Sequence, residues 1–304
     1  MLEIAIMIEG QNGLTWPRWQ RLAAAVEDLG FAGLYRSDHF TNAEGPDKDS
    51  LELWTSLAWL ASHTRRIEFG PLVSPVSYRH PAMTARIAAA VDDLSSGRLT
   101  LGLGAGWQER EHTMFGFDLL DVKSRFSRFE EGLEVVSGLL NSDQPVTLDG
   151  KYFQLREATL LPRPARPGGP PILIGGNGEK RTLALVARYA AEWNAVFQPA
   201  SEFARLNARL DELLEDGGRE PKSVRRSLMT GLRFYRTKKE LAEGLEARKQ
   251  TVEELRKRGI IVGAAEEIQP QLAELEQAGL QRVMLQWLDL DDLDGLRLLA
   301  KIVL

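Results

Sequence analysis

Eight short apolar runs alternate along the chain with longer stretches of helical periodicity, and this alternation restricts the fold more than any other feature. The runs are Glu3 to Ile8, Gly33 to Ser37, Ile67 to Val73, Leu99 to Leu103, Pro171 to Ile174, Trp193 to Phe197, Ser227 to Phe234 and Arg282 to Gln286. After the first run, TWPRWQRLAAAVEDLG reads as a helix with Thr15 as its cap, Pro17 in the first turn and Gly30 at its end. Eight such strand–helix units predict an α/β fold, a (β/α)8 TIM barrel with its site at the C-terminal ends of the strands. A doubly wound open sheet is the alternative.

A chain of 304 residues suffices for one such barrel, so we expect a single domain over residues 1–304 with insertions near 107–120, 145–170 and 237–260. Within them, VTLDGKYFQL (Val146 to Leu155) reads as a hairpin with a tight turn at Asp149-Gly150, and Lys238 to Arg258 as a charged helical stretch. The Pro-rich segment LLPRPARPGGPP reads as a surface loop leading into the fifth strand. Lys plus Arg number 38 against 43 Asp plus Glu, a net charge of −5, which leaves no electrostatic footprint for nucleic acid or an anionic membrane and favours small-molecule work. The absence of cysteine excludes thiolate catalysis and cysteine-ligated metals. Glu3 stands where a secretion signal carries Lys or Arg, and no apolar run approaches the roughly 18 residues of a membrane span, so a cytoplasmic location is expected.

The candidate chemistry lies at strand ends. The second strand ends GLYRSDHF, bringing Asp38 and His39 to the catalytic face; histidine trades protons near neutral pH, and a neighbouring carboxylate can orient it. The third ends GPLVSPVSYRHP, where Pro71 and Pro75 predict a bulge, so that the backbone of Leu72, Val73 and Ser74 either faces a planar ring or forms an ordinary bend, and where His80-Pro81 starts the next helix. The fourth runs RLTLGLGAGWQEREHTMFG. Its Gly102, Gly104 and Gly106 are not a dinucleotide fingerprint, because the spacing is G-x-G-x-G and the helical SRFEEGLEVV follows where a second strand would place the ribose-binding acid. The fifth ends ILIGGNGEKRTL, where Gly175, Gly176, Asn177 and Gly178 offer backbone N–H groups to a phosphate at a helix N-terminus, with Lys180 and Arg181 in the first turn. Glu109, Glu111 and His112 are close in sequence but lack other ligands at metal spacing; a polar helix start with Glu111 bonded to backbone is expected, and no metal site. Nucleophile-elbow and Walker motifs are absent.

Together SDHF, GPLVSPVSYRHP, RLTLGLGAGWQEREHTMFG, DGKYFQL and LLPRPARPGGPPILIGGNGEKRTLALVARYAAEWN span nearly the whole chain and resemble the bacterial luciferase-like monooxygenase family, in particular its deazaflavin (coenzyme F420) oxidoreductase branch. The resemblance implies a ring packed on Leu72 and Val73 across a non-proline cis peptide, Ala105, Gly106 and Trp107 on its other side, glycines that let the ring approach, and the cofactor phosphate at Gly175 to Gly178. Asp38-His39 resembles the pair of the deazaflavin-dependent sugar-phosphate dehydrogenases, in which the histidine takes the substrate hydroxyl proton. Those enzymes carry a tryptophan a few residues further on, where FTNAE stands here, and an acid where Trp107 stands, which speaks against a sugar phosphate. Family members pair as dimers, and Trp54, Leu57, Leu60 and Ala61 form a candidate face for a homodimer.

The expected function is hydride transfer between F420 and an organic substrate, with His39 as acid or base and Asp38 orienting it. An FMN-dependent monooxygenase drawing reduced flavin from a separate reductase is the second reading, and a cofactor-free binding relative the third.

Overall fold

The computed structural model describes residues 1–304, and all eight expected runs are strands. In chain order the strands are β1 (Glu3–Ile8), β2 (Gly33–Arg36), β3 (Glu68–Pro71), β4 (Ser74–Pro75), β5 (Leu101–Gly104), β6 (Val146–Asp149), β7 (Gln154–Ala158), β8 (Ile172–Gly175), β9 (Glu192–Val196), β10 (Arg225–Tyr235), β11 (Ile261–Ala264) and β12 (Arg282–Gln286). The helices are α1 (Trp16–Leu29), α2 (Leu53–His63), α3 (Pro81–Leu94), α4 (Glu109–Phe115), α5 (Val122–Asn141), α6 (Thr182–Tyr189), α7 (Ala200–Asp216), α8 (Lys238–Arg248), α9 (Val252–Lys257), α10 (Ala265–Gln277) and α11 (Leu293–Val303).

The large sheet is parallel in the order β3-β2-β1-β12-β10-β9-β8-β5-β4, and an isolated parallel bridge between Phe69 and Leu99 joins its two ends. A parallel sheet returning on itself with helices between its strands is the expected barrel. Its strands are buried on both faces, which explains continuous apolar runs such as EIAIMI. In β1, Ile4, Ile6 and Ile8 join the core under the helices, whereas Ala5 and Met7 pack with Tyr35, Leu72, Leu173 and Met284 inside the barrel. Glycine lets β3 and β5 meet: a Cβ on Gly102 would lie 2.0 Å from the Pro71 carbonyl oxygen, and one on Gly70 would lie 1.9 Å from that of Thr100.

Several local expectations are revised. Thr15 occupies the cap position of α1 in extended conformation, but its side chain makes no capping bond. The hairpin β6–β7 forms, but its turn lies at residues 150–153 and not at Asp149-Gly150: the Gly150 N–H donates to the Phe153 carbonyl at 3.0 Å, and the Glu131 carboxylate on α5 accepts from the backbone N–H groups of Lys151, Tyr152 and Phe153. The charged stretch 238–258 makes α8 and α9 and is followed by an unanticipated strand, β11, which pairs with the outer half of the 11-residue β10. Trp54, Leu57, Leu60 and Ala61 do not form an open face for a second copy; they are buried in this chain's own core. Helix α6 begins at Thr182, so Lys180 and Arg181 lie in the turn before it and not in its first turn. No helix is long and apolar enough to cross a membrane.

Candidate active site

In the loop that follows β2, Asp38 and His39 engage different partners. The His39 Nδ1 lies 2.7 Å from Oε1 of Glu111 on α4, whose side chain is almost wholly buried and whose Oε2 accepts from the Phe40 N–H at 3.0 Å. Ser50 Oγ donates to the His39 carbonyl at 2.7 Å, fixing the backbone behind the ring. With an ionised carboxylate at Nδ1, that nitrogen carries the proton, and Nε2 has no hydrogen-bond partner in the protein. Burial works against a charged imidazole here, but the Glu111 hydrogen bond and charge outweigh it and raise His39 above its ordinary value. Burial likewise penalises the Glu111 carboxylate, which the His39 and Phe40 bonds nevertheless hold below the usual range.

Asp38 makes no hydrogen bond to His39. Its buried carboxylate accepts from Ser74 Oγ at 2.7 Å and from the Arg79 guanidinium, which also reaches Glu52 at the start of α2. Burial raises the Asp38 carboxyl despite Arg79, while the same contact raises Arg79. Asp38 therefore ties β2 to the β4 turn and the approach to α3, and the carboxylate that orients His39 is Glu111. At the sequence level Glu111 is an acidic residue three positions after the Gln108 cap, a helix-start signal. Its partner lies 72 residues earlier and becomes visible only when the barrel closes.

The third strand breaks between Pro71 and Ser74 as expected, and the Leu72–Val73 peptide is cis. Leu72 and Ser74 are buried and Val73 is half-buried at the mouth of the barrel. Two of the nearby glycines, Gly104 and Gly175, make room for the Val73 side chain. A Cβ on Gly104 would come within 2.6 Å of Val73 Cγ2, and one on Gly175 within 3.2 Å of Val73 Cγ1, so the space is already occupied by valine. Gly106 is required by its backbone, at φ +86°, and a Cβ there would press on Ser77 Oγ at 3.2 Å and His112 Nε2 at 3.4 Å. Ala105 and Gly106 are half-buried, and Arg125 Nη1 donates to the Gly106 carbonyl at 3.0 Å. Trp107 is 61% exposed, with its ring edge-on to His39 at 5.5 Å between centroids. Glu109, Glu111 and His112 diverge: Glu111 serves His39, whereas His112 bridges Ser77 Oγ at 2.8 Å and the Gln108 carbonyl at 2.7 Å.

On the far side of the mouth, the Asn177 carboxamide braces Val196, donating to its carbonyl at 2.8 Å and accepting from its N–H at 2.9 Å. The backbone N–H groups of Asn177, Gly178, Glu179, Lys180 and Arg181 donate to nothing in the protein. Thr182 fills the room beside Gly176 and Gly178, and Arg181 stacks over Phe126 of α5. A run of free N–H groups before a helix is an anion cradle. At the end of β1, Glu9 accepts from Gln286 Nε2 at 2.8 Å and from Gln11 Nε2 at 3.0 Å, and its charge also raises His39.

Comparison with known proteins identifies the family. The 4-hydroxyprotoasukamycin monooxygenase of Streptomyces nodosus subsp. asukaensis is 28% identical, aligned over 94% of this chain and 84% of that protein. An F420-dependent hydroxymycolic acid dehydrogenase of Mycobacterium tuberculosis is 30% identical over 66% of this chain and 55% of that protein, and an F420-dependent glucose-6-phosphate dehydrogenase of Kineococcus radiotolerans is 31% identical over 51% and 46%. The match to these two dehydrogenases thus spans about half of their lengths. An F420-dependent secondary alcohol dehydrogenase, solved with an F420–acetone adduct, shares the fold with a TM-score of 0.87 at 19% identity, covering 99% of this chain and 98% of that one. Residues 3–247 match the family model described as luciferase-like monooxygenase, and the chain belongs to that family.

Proposed function

We propose that the protein is an oxidoreductase moving a hydride between coenzyme F420 and an organic alcohol or ketone, with His39 as its proton-transfer group. The observation that carries this reading is the His39 ring, held at Nδ1 by a buried carboxylate and free at Nε2 on the catalytic face of the barrel. The residues around the mouth suit a deazaflavin or flavin: buried Leu72, half-buried Val73 and the half-buried Ala105–Gly106 backbone would hold a planar ring, and five free N–H groups from Asn177 to Arg181 suit its phosphate. The chemistry such a group supplies when bound is two-electron hydride exchange with a substrate carbon.

The chain's own residues handle the proton. In alcohol oxidation, neutral His39 accepts the hydroxyl proton at Nε2, and Glu111 stabilises the resulting imidazolium through Nδ1–H. In ketone reduction the imidazolium returns that proton to the developing alkoxide oxygen. Asp38 acts by bracing the loop that carries His39, not by touching its ring.

Fluorescence titration of the purified chain with F420 and with FMN tests the cofactor. Tight F420 binding, with turnover lowered about 10²- to 10⁴-fold in His39→Ala and binding retained, is expected. Affinity for neither cofactor contradicts every redox reading, and an unchanged His39→Ala rate removes His39 from its role. The 94% overlap with a monooxygenase favours a second reading, in which reduced FMN arrives from a reductase and oxygen is consumed. FMN preference with substrate-dependent oxygen uptake decides for it.

A further inference from the structure

The loop after β5, which packs against His39 through Trp107, and helix α4 expose large apolar side chains: Trp107 is 61% exposed, Met114 51% and Phe115 52%. Trp107 and Met114, with Ala43, line a groove of about 670 Å³ between α4 and the loop after β2. Contiguous exposed apolar surface of this kind marks a place where something apolar binds.

The polar side chains along the groove are largely committed elsewhere. Gln108 is buried and donates through Nε2 to the Thr41 carbonyl at 2.9 Å. The Arg110 guanidinium is taken up by the Asn42 carbonyl and the Asp47 carboxylate, at 2.9 Å and 2.7 Å. Both contacts bolt the opposite wall in place and leave few free donors on the floor, so the surface open to a ligand is mainly Trp107, Met114 and Ala43, with Glu109 and Thr113 at the rim. Trp107 links the groove to the reacting centre, because it lines the groove and its ring also packs edge-on against His39.

We infer that this groove is the substrate's tail subsite, and that the substrate is an alcohol or ketone carrying an extended hydrocarbon segment, which lies along Trp107 and Met114 while its oxygen meets Nε2 of His39. The inference rests on the oxidoreductase reading for the oxygen-bearing end only; the groove binds the hydrocarbon segment with or without a redox cofactor. The same features argue against small polar substrates, which leave Trp107 and Met114 in water.

The test is calorimetric titration of the cofactor-free protein with 2-alkanones from butanone to decanone, which separates this claim from the cofactor assignment. The dissociation constant is expected to fall about two- to fourfold for each added methylene, as burial of one methylene requires. Met114→Glu flattens that series, Met114→Leu preserves it, and the exposed position of Met114 leaves the fold intact in both. A flat series in the wild type, or a slope that Met114→Glu does not change, overturns the inference. So does sedimentation showing that Met114→Glu dissociates a dimer with no change in alkanone binding, which would make the patch a contact between copies of the chain.

Discussion

Glu111 Oε1 accepts a hydrogen bond from Nδ1 of His39 at 2.7 Å, joining the first turn of α4 to the end of β2. The contact fixes the tautomer of the imidazole, leaves Nε2 free at the mouth of the barrel and holds His39 above its ordinary pKa. The proposed chemistry depends on this pair more than on any other contact, and its neighbours give the pair its setting.

Asp38 supports the same loop without touching the ring. Asp38→Ala leaves the half-buried Arg79 with Glu52 as its remaining partner and takes the acceptor from Ser74 Oγ, and is expected to cost about 1–3 kcal/mol. Urea denaturation of wild type and variant measures it. Asp38→Asn, which keeps the shape of the group but removes a nearby charge that raises His39, is expected to move the pH midpoint of alcohol oxidation slightly lower, and less far than a Glu111 variant does; a midpoint that moves as far as in a Glu111 variant returns Asp38 to the proton-transfer machinery.

Gly106 stands in the left-handed region against Ser77 and His112. Gly106→Ala is expected to cost about 1–2 kcal/mol from backbone conformation alone, with more if the Ser77–His112 hydrogen bond gives way. Because the same backbone faces the proposed ring, cofactor affinity falls with stability. Thermal unfolding and cofactor titration of one variant read both effects, and unchanged affinity would place the ring elsewhere.

The raised His39 pKa carries a stability signature of definite sign. Its contribution is fully present below the unfolded-state value of about 6.5 and is lost as pH rises through the higher folded-state value. The stability difference between wild type and His39→Gln is therefore largest in mild acid, above the range where Glu111 protonates, and shrinks toward alkaline pH. Melting temperatures of both proteins from pH 5.5 to 9 measure it, and a difference growing with pH contradicts the assignment.

The strands were legible because a parallel barrel buries both of their faces, which leaves unbroken apolar runs such as EIAIMI and RVMLQ. Strand β11 was not, since Ile261–Ala264 is short, lies directly after Gly259 and follows a charged helical stretch. His39 was legible as a strand-end histidine, but adjacency in sequence suggested Asp38 as its partner, whereas in the loop after β2 Asp38 turns to Ser74 and Arg79 and His39 to Glu111. Gly104 reads from sequence as room for a ring and Gly175 as part of a phosphate turn, and both face the Val73 side chain, a packing relation between strands far apart in sequence. The apolar face of α2 was equally ambiguous, because a stripe that meets the barrel has the same pattern as one that meets a partner.

The pH dependence of kcat/KM in wild type and Glu111→Gln tests the central claim most directly. With the carboxylate gone, the imidazolium loses its stabilising charge, so the midpoint for alcohol oxidation moves to lower pH and the plateau rate falls about 10²-fold. A Glu111→Gln enzyme with the wild-type midpoint and rate would contradict the account, because His39 would then neither exchange the proton nor depend on Glu111 to do so.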